Sequence, residues 1–267
     1  MPLLMLIVLA IVQGITEFLP ISSSAHLALL HEVNGTTGED LALDIAVHIG
    51  SILAVILYLR EEAFRAFRGL FRMHLWQSSH DGQLALALVV ATIPAVIVGA
   101  VIHVMGWADE LRDIRIIGTT MIVFGVALWW VHRIAPETRR VSDWSMRNAV
   151  TLGLWQAVAL IPGVSRSGIT MTAARSLGFE RHTAARMSML MSIPITLATG
   201  ALLAKDVAEA GVDSALSFNV LVAAVLSFIA AYAALALMMK FLSKVSFTPY
   251  VIYRVVLGVV LLGIAYS

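Results

Sequence analysis

At 267 residues the chain has the length of one or two soluble domains, but 60% hydrophobic residues, 13% charged residues and a mean hydropathy of +0.90 describe an integral membrane protein. A net charge of +1 gives no nucleic-acid-binding stripe, and the absence of cysteine excludes disulfides, thiol catalysis and cysteine-based metal sites. The apolar N-terminus lacks the basic region and small-residue cleavage site of a signal peptide, so it is read as part of the mature protein.

The first apolar segment, Leu3 to Leu19, carries Gln13, Thr16 and Glu17 and stops at Pro20. The next, Ala25 to Leu30, is far short of the roughly 20 residues a span needs, so the two together predict a re-entrant helix–loop–helix. Spans are predicted at Leu41–Leu59, Leu84–Met105, Ile114–Val131, Ala184–Ala204, Phe218–Phe241 and Tyr250–Tyr266. Between the third and fourth lies a second interrupted pair, Asn148–Ile161 and Gly168–Leu177, broken at Pro162-Gly-Val-Ser-Arg-Ser167. The expected fold is an all-α integral membrane protein with about six transmembrane helices and two re-entrant helix–loop–helix elements.

Loop charge orients these elements. No Lys or Arg precedes Arg60, and the loop from Glu32 to Asp40 is acidic, which sets the N-terminal end outside. Arg60, Arg65, Arg68 and Arg72 set the next loop inside; Asp109, Glu110 and Asp113 outnumber Arg112 and Arg115 in the one after. Arg133, Arg139, Arg140 and Arg147, then Arg175, Arg181 and Arg186, are inside, the Asp206–Asp213 loop is outside, and Lys240 with Lys244 is inside. The alternation holds only if each broken pair enters and leaves on one side. Each half is then a hairpin followed by about three spans in opposite orientation, an inverted-topology repeat. The halves run approximately 1–135 and 146–267 within a single membrane domain, 1–267. The tryptophans Trp76, Trp107, Trp129, Trp130 and Trp144 fit interfacial belts, and Asn34-Gly35-Thr36, formally a glycosylation sequon, is read as a tight turn.

In such a repeat the broken tips meet near the midplane, and each tip here precedes a short half-helix. Two helix N-termini aimed at one point form an anion site from backbone alone. Ser22, Ser23, Ser24, Ser165 and Ser167 add hydroxyls, though each also suits a helix cap. Arg166 adds a planar fork matched to phosphate, and at this depth it requires a buried carboxylate, for which Glu17 is the candidate. Gln13 and Glu17 share a helix face at i, i+4, as metal ligands, as a general base with its neighbour, or as a polar patch between helices. His26 is a candidate acid, base or nucleophile. Asp44 and His48 share a face too, but with no third ligand they are read as structural or access residues. His31, His74, His80, His103, His132 and His182 sit near span ends and receive no role.

Gln13-Gly-Ile-Thr-Glu17-Phe-Leu-Pro20-Ile-Ser-Ser-Ser-Ala-His26 and Pro162-Gly-Val-Ser-Arg-Ser-Gly-Ile-Thr170 resemble the two signature motifs of the bacterial undecaprenyl-diphosphatase, or bacitracin-resistance, family. The likeness extends through Ile49–Val55 and Phe247–Arg254. It implies hydrolysis of undecaprenyl diphosphate to undecaprenyl phosphate and inorganic phosphate, recycling the lipid carrier of cell-wall synthesis. It further implies a divalent cation, Mg²⁺ or Ca²⁺, and a site on the outer side of the bacterial cytoplasmic (inner) membrane. Membrane lipids are the remaining expected partners, with a homodimer allowed and bacitracin acting on the substrate rather than on the protein. By motif position, Glu17, His26, Ser23 and Arg166 are the catalytic residues and Glu17 and Gln13 the metal ligands. Ser22, Ser24, Ser165, Arg166, Ser167 and Thr170 are then the phosphate-binding set. The chain departs from the family pattern at Gln13, where many members carry Glu, at Ser24 and Ala25, and at His48, where Gln is expected.

The nucleophile is left open among Ser23, His26 and water. The phosphatidic-acid-phosphatase type is rejected, because Thr172 and Ser176 stand where it needs histidine and aspartate. A lipid-phosphate flippase or anion transporter remains the alternative, since inverted repeats with broken helices serve transporters as well.

Overall fold

The computed structural model describes residues 3–34, 41–72, 79–210, 214–242 and 244–266. The sequon, the acidic loop ending at Asp40, His74, Trp76 and Asp213 fall wholly or partly outside them.

The protein is an all-α, multi-pass membrane protein. In order it forms α1 (Leu3–Thr16), α2 (Ser23–Asn34), α3 (Leu41–Tyr58), α4 (Arg60–Phe71), α5 (His80–Met105), α6 (Ala108–Leu111) and α7 (Ile114–Ile134). Then follow α8 (Met146–Val158), α9 (Arg166–Ser176), α10 (Arg181–Ala210), α11 (Ser214–Leu242) and α12 (Thr248–Tyr266). Among the described residues four helices are long and apolar enough to cross a membrane, and five if α3 and α4 count as one bent span. The longest, α10, falls outside that set: its N-terminal half carries Arg181, Arg186 and the buried hydroxyls of Thr183, Ser188 and Ser192, which lower its hydropathy. Both interrupted pairs are present, as α1–α2 and α8–α9. The stretch after Arg60, expected as a loop, is instead the amphipathic α4, bent 98° from α3.

The two short pairs sit in matching surroundings. α1 packs on α11 and α8 packs on α5, each through a glycine. A Cβ on Gly14 would lie 2.5 Å from the Ser227 carbonyl oxygen, and one on Gly153 would lie 2.7 Å from that of Ala91. Small residues allow this backbone approach, which drives helix association where lipid removes the hydrophobic term between helices. α7 and α12 cross at Gly118 and Gly258, each facing the other's carbonyl. The interior between these packed pairs holds Phe18, Phe179 and Phe247, all buried, and two fully buried arginines, Arg175 and Arg254. Arg175 is spent on structure: it donates to the carbonyls of Ala135, Pro136 and Phe179 and so ties the end of α9 to the preceding loop.

Candidate active site

Two serines carry the backbone through the breaks. Ser22 and Ser165 both have φ of 70°, a left-handed conformation that costs a non-glycine residue about 1 kcal/mol or more and that clusters at functional sites. Each immediately precedes a helix, α2 or α9, whose first N–H groups have no acceptor within the helix. Each is also bonded to the hydroxyl two residues on: Ser22 to Ser24 at 3.0 Å and Ser165 to Ser167 at 3.1 Å. The tips then touch reciprocally. Ser24 accepts from the Gly163 N–H at 3.2 Å, and Ser167 donates to the Leu19 carbonyl at 2.8 Å. Pro20 and Pro162-Gly163 account for the breaks, since proline ends the incoming helix and Gly163, at φ 86°, turns the chain.

Glu17 stands where the tips meet. Its Oε1 accepts from Arg166 at 2.9 Å, and its Oε2 accepts from Ser23 at 2.8 Å and from the Gln13 amide at 2.8 Å. The Glu17 and Arg166 side chains are 10% and 14% exposed, so the pair is largely desolvated and each group depends on the other. The second terminal nitrogen of Arg166, Nη1, is buried with no partner among the described residues, which leaves a charged donor for an incoming anion. The Phe18 ring lies 5.8 Å from the guanidinium carbon. Of the expected residues, then, Gln13, Glu17, Ser23 and Arg166 form one hydrogen-bonded cluster.

The other expected residues surround this cluster in different ways. Ser165 caps α9 by accepting from the Gly168 N–H, and Thr170 donates to the Arg166 carbonyl and meets Ser188 at 2.7 Å. With Ser22 and Ser167, these hydroxyls are buried and shape the tips; Ser24 is the exposed one. Neither ring nitrogen of His26 bonds Glu17. Its Nδ1 meets the Ser22 carbonyl at 2.7 Å and its Nε2 meets the Tyr253 hydroxyl at 2.7 Å, with the two rings stacked. A carbonyl only accepts, so Nδ1 carries the proton, and in the neutral ring Nε2 accepts from Tyr253.

Besides Tyr253, three contributors were missed or under-read in the sequence. His48 bonds the Asp44 carbonyl, not its carboxylate, at 2.7 Å, and turns Nε2 to the Gln13 amide at 3.1 Å, 3.9 Å from Glu17. The Gln13 amide therefore gives one N–H to Glu17 and one to His48, while its own oxygen is buried and unpartnered. Arg254 of α12 donates to the carbonyls of Gly163 and Val164 at 3.0 and 2.9 Å, with no carboxylate partner among the described residues. Thr120 of α7 adds a bond to the Pro162 carbonyl at 2.7 Å. Signals existed in the sequence: an arginine and a tyrosine side by side in an oily span, and a histidine at i+4 from an aspartate. None of them states what it reaches.

Chemically the cluster offers a hydroxyl on a carboxylate, a guanidinium with a spare donor and two helix N-termini, the parts for displacement at a phosphorus centre. Comparison with known proteins agrees. Residues 6–260 match the family model described as Bacitracin resistance protein BacA. A protein of Ruegeria pomeroyi named Undecaprenyl-diphosphatase is 51% identical over the full length of both chains. Proteins of the same name from a Jannaschia species and from Dinoroseobacter shibae are 52% and 50% identical, again over full length.

Proposed function

The chain belongs to the BacA family of bacitracin resistance proteins, and from that premise we infer that it is a membrane phosphatase hydrolysing undecaprenyl diphosphate to undecaprenyl phosphate and inorganic phosphate. The observation that carries the reading into this chain's own residues is the Ser23–Glu17–Arg166 relay, in which a hydroxyl and a guanidinium share one buried carboxylate.

The proposed chemistry follows from that sharing. Arg166 and the N-termini of α2 and α9 hold the terminal phosphate, and the spare donor of Arg166 takes up charge as it develops. The Ser23 oxygen attacks phosphorus, forming an O–P bond as the bridging P–O bond breaks with its electron pair on undecaprenyl phosphate. The hydroxyl proton passes to Glu17 Oε2. The Glu17 proton leaves with the departing undecaprenyl phosphate, which restores the carboxylate; water then attacks the phosphoserine phosphorus as the Ser23 O–P bond breaks, its proton passing through Glu17 to the Ser23 oxygen as inorganic phosphate leaves. Ser23 is favoured over His26 because its oxygen already lies on the carboxylate, whereas both His26 nitrogens are engaged by Ser22 and Tyr253.

A divalent cation, Mg²⁺ or Ca²⁺, belongs to the same proposal. No cluster of three acidic, histidine or cysteine side chains occurs among the described residues. The donors present, one carboxylate and the unpartnered Gln13 oxygen, fit an ion held jointly with the substrate's phosphates. Glu17 and Gln13 would hold it, and it would supply charge neutralisation on the diphosphate.

The reading further takes the site to open on the outer side of the cytoplasmic membrane, supported by the arginines grouped at the opposite ends of the spans. Because the chain has no cysteine, a single cysteine at Ser24 should react with a membrane-impermeant maleimide from outside intact cells, and labelling from the cytoplasmic side alone defeats this assignment. The decisive assay is phosphate release from undecaprenyl diphosphate by the purified protein with Mg²⁺ or Ca²⁺, followed by acid quenching with labelled substrate. An acid-stable phosphoprotein absent from Ser23→Ala is the expected result. Substrate binding without phosphate release would sink the reading and favour a carrier.

A further inference from the structure

α4 is fastened at two points and spans a gap between them. Glu62 near its start pairs with Arg186 of α10. Toward its end, Gly69 packs so closely on α5 that a Cβ would come within 2.2 Å of the Asp81 carbonyl oxygen, and Arg65 and Arg68 both bind the Asp81 carboxylate. Between these fixings the helix roofs a groove of about 830 Å³ walled by Ile56 of α3, Leu88 of α5 and Ile193 and Leu197 of α10. Phe64 and Phe67 form the roof, and Arg60 stands among the lining residues.

At 100° per residue α4 has three faces. Ala66 and Gly69 are buried against the protein. Phe64, Phe67 and Phe71 are 62%, 57% and 75% exposed on a second face, and Arg65 and Arg68 occupy a third. A helix lying across the bundle with an aromatic face, an arginine face and a fixed protein face matches one embedded at a membrane surface. Arg60 and Glu61 line the groove, and the charge on α4 and its fixings is unbalanced. Arg60, Arg65, Arg68, Arg72 and Arg186 stand against Glu61, Glu62 and Asp81, and Arg60 and Arg72 have no ion-pair partner among the described residues.

We propose that the groove beneath α4 binds a chain of an anionic membrane phospholipid, whose headgroup is held by Arg60 in its lining and by the arginine face of α4. The apolar walls supply the chain's contacts, and the arginine excess selects the anionic headgroup over a zwitterionic one. α4 thereby becomes a lipid-held strap joining α3, α5 and α10 on the side where the arginines gather. None of its residues takes part in the chemistry at Glu17.

The test is native mass spectrometry of the full chain with equimolar dioleoyl phosphatidylglycerol and dioleoyl phosphatidylcholine. The anionic adduct should dominate, and Arg60→Gln and Arg72→Gln should each narrow the preference by about five-fold. Ala63→Trp, which fills the groove from the roof, and Leu197→Trp, which fills it from the α10 wall, should abolish both adducts. Phosphate release by these two variants should stay within about two-fold of the parent, reporting an intact fold. Equal retention of the two lipids overturns the proposal, as does an anionic adduct that survives both tryptophans. Two further outcomes also overturn it: displacement of the phospholipid by equimolar undecaprenyl phosphate would give the groove to the substrate's tail, and a chain dimer that excludes both lipids would give it to a second copy.

Discussion

Ser22 and Ser165 have the same φ, each leads into a short helix, and each bonds the hydroxyl two residues later. The side chains hung on that shared backbone differ. The residue after Ser22 is Ser23, a hydroxyl on a carboxylate; the residue after Ser165 is Arg166, the cation on the other oxygen of the same carboxylate. Counting back from each serine, Gln13 and Gln156 correspond, but Glu17 corresponds to Leu160. Gln156 gives its amide to the Ala91 carbonyl and so serves packing, whereas Gln13 gives its amide to Glu17 and His48. The backbone therefore builds the same serine-led tip twice. In the proposed reaction the first tip supplies the proton-handling groups and the second the fixed charge, so neither is complete without the other.

The strongest way to break that division of labour is to remove its shared member. Glu17→Ala takes the base from Ser23 and leaves Arg166 as an uncompensated buried charge; Arg166→Ala strands Glu17. Each should lower kcat/KM by about 10³-fold or more and destabilise the protein by about 3–5 kcal/mol. Because the two act through one carboxylate, the double variant should be little worse than either single one, in activity and in thermal midpoint alike. If the two losses simply add, the tips act independently and the relay is wrong.

The second test separates shape from charge at the second tip. Arg254 holds the Gly163 and Val164 carbonyls from a fully buried position without a carboxylate partner. Replacing it with methionine frees two carbonyls, at about 1–3 kcal/mol each, but removes an expensive buried charge, so net stability should change little. Activity should not be spared. With the tip loosened, Arg166 loses its bearing on the substrate, and kcat/KM should fall by about 10²-fold with Glu17 and Ser23 untouched. A thermal midpoint that collapses together with activity would make Arg254 a mere bolt of the fold.

The same contrast explains what could be read from the sequence. Pro20, Pro162 and Gly163 announce the breaks, an arginine at membrane depth demands a carboxylate, and alternating loop charge requires both pairs to return to their own side. That reasoning reaches the two tips and the Glu17–Arg166 pairing, whose distance is 2.9 Å. It does not reach partners brought in by long-range packing: His48 onto Gln13 across 35 residues, or Tyr253 onto His26 across 227. Nor does it distinguish a serine that binds substrate from one that bonds its own tip, because both uses want the same residue in the same turn. Ser165, Ser167 and Thr170 look like donors in the sequence and are engaged inside the fold. α4 escaped for another reason: its charge reads as a solvated loop until the arginines are seen on one face and the phenylalanines on another.

The finest test compares the two serines themselves. At φ 70° a glycine is relaxed and an alanine is strained, while both lack the hydroxyl. If backbone shape is the main contribution of Ser22 and Ser165, the glycine variant at each site should be more stable than the alanine variant by about 1 kcal/mol, and equally so at both tips. The hydroxyls should then split them. Ser165 accepts from the Gly168 N–H as well as meeting Ser167, whereas the Ser22 hydroxyl meets only Ser24 among the described residues, and Ser22 holds His26 through its carbonyl, which glycine retains. Ser165→Gly should therefore lose the stability of a missing cap, about 1 kcal/mol beyond Ser22→Gly. Thermal denaturation of the four variants in one detergent decides it, and equal midpoints for glycine and alanine would show that the left-handed turn is not what these serines are for.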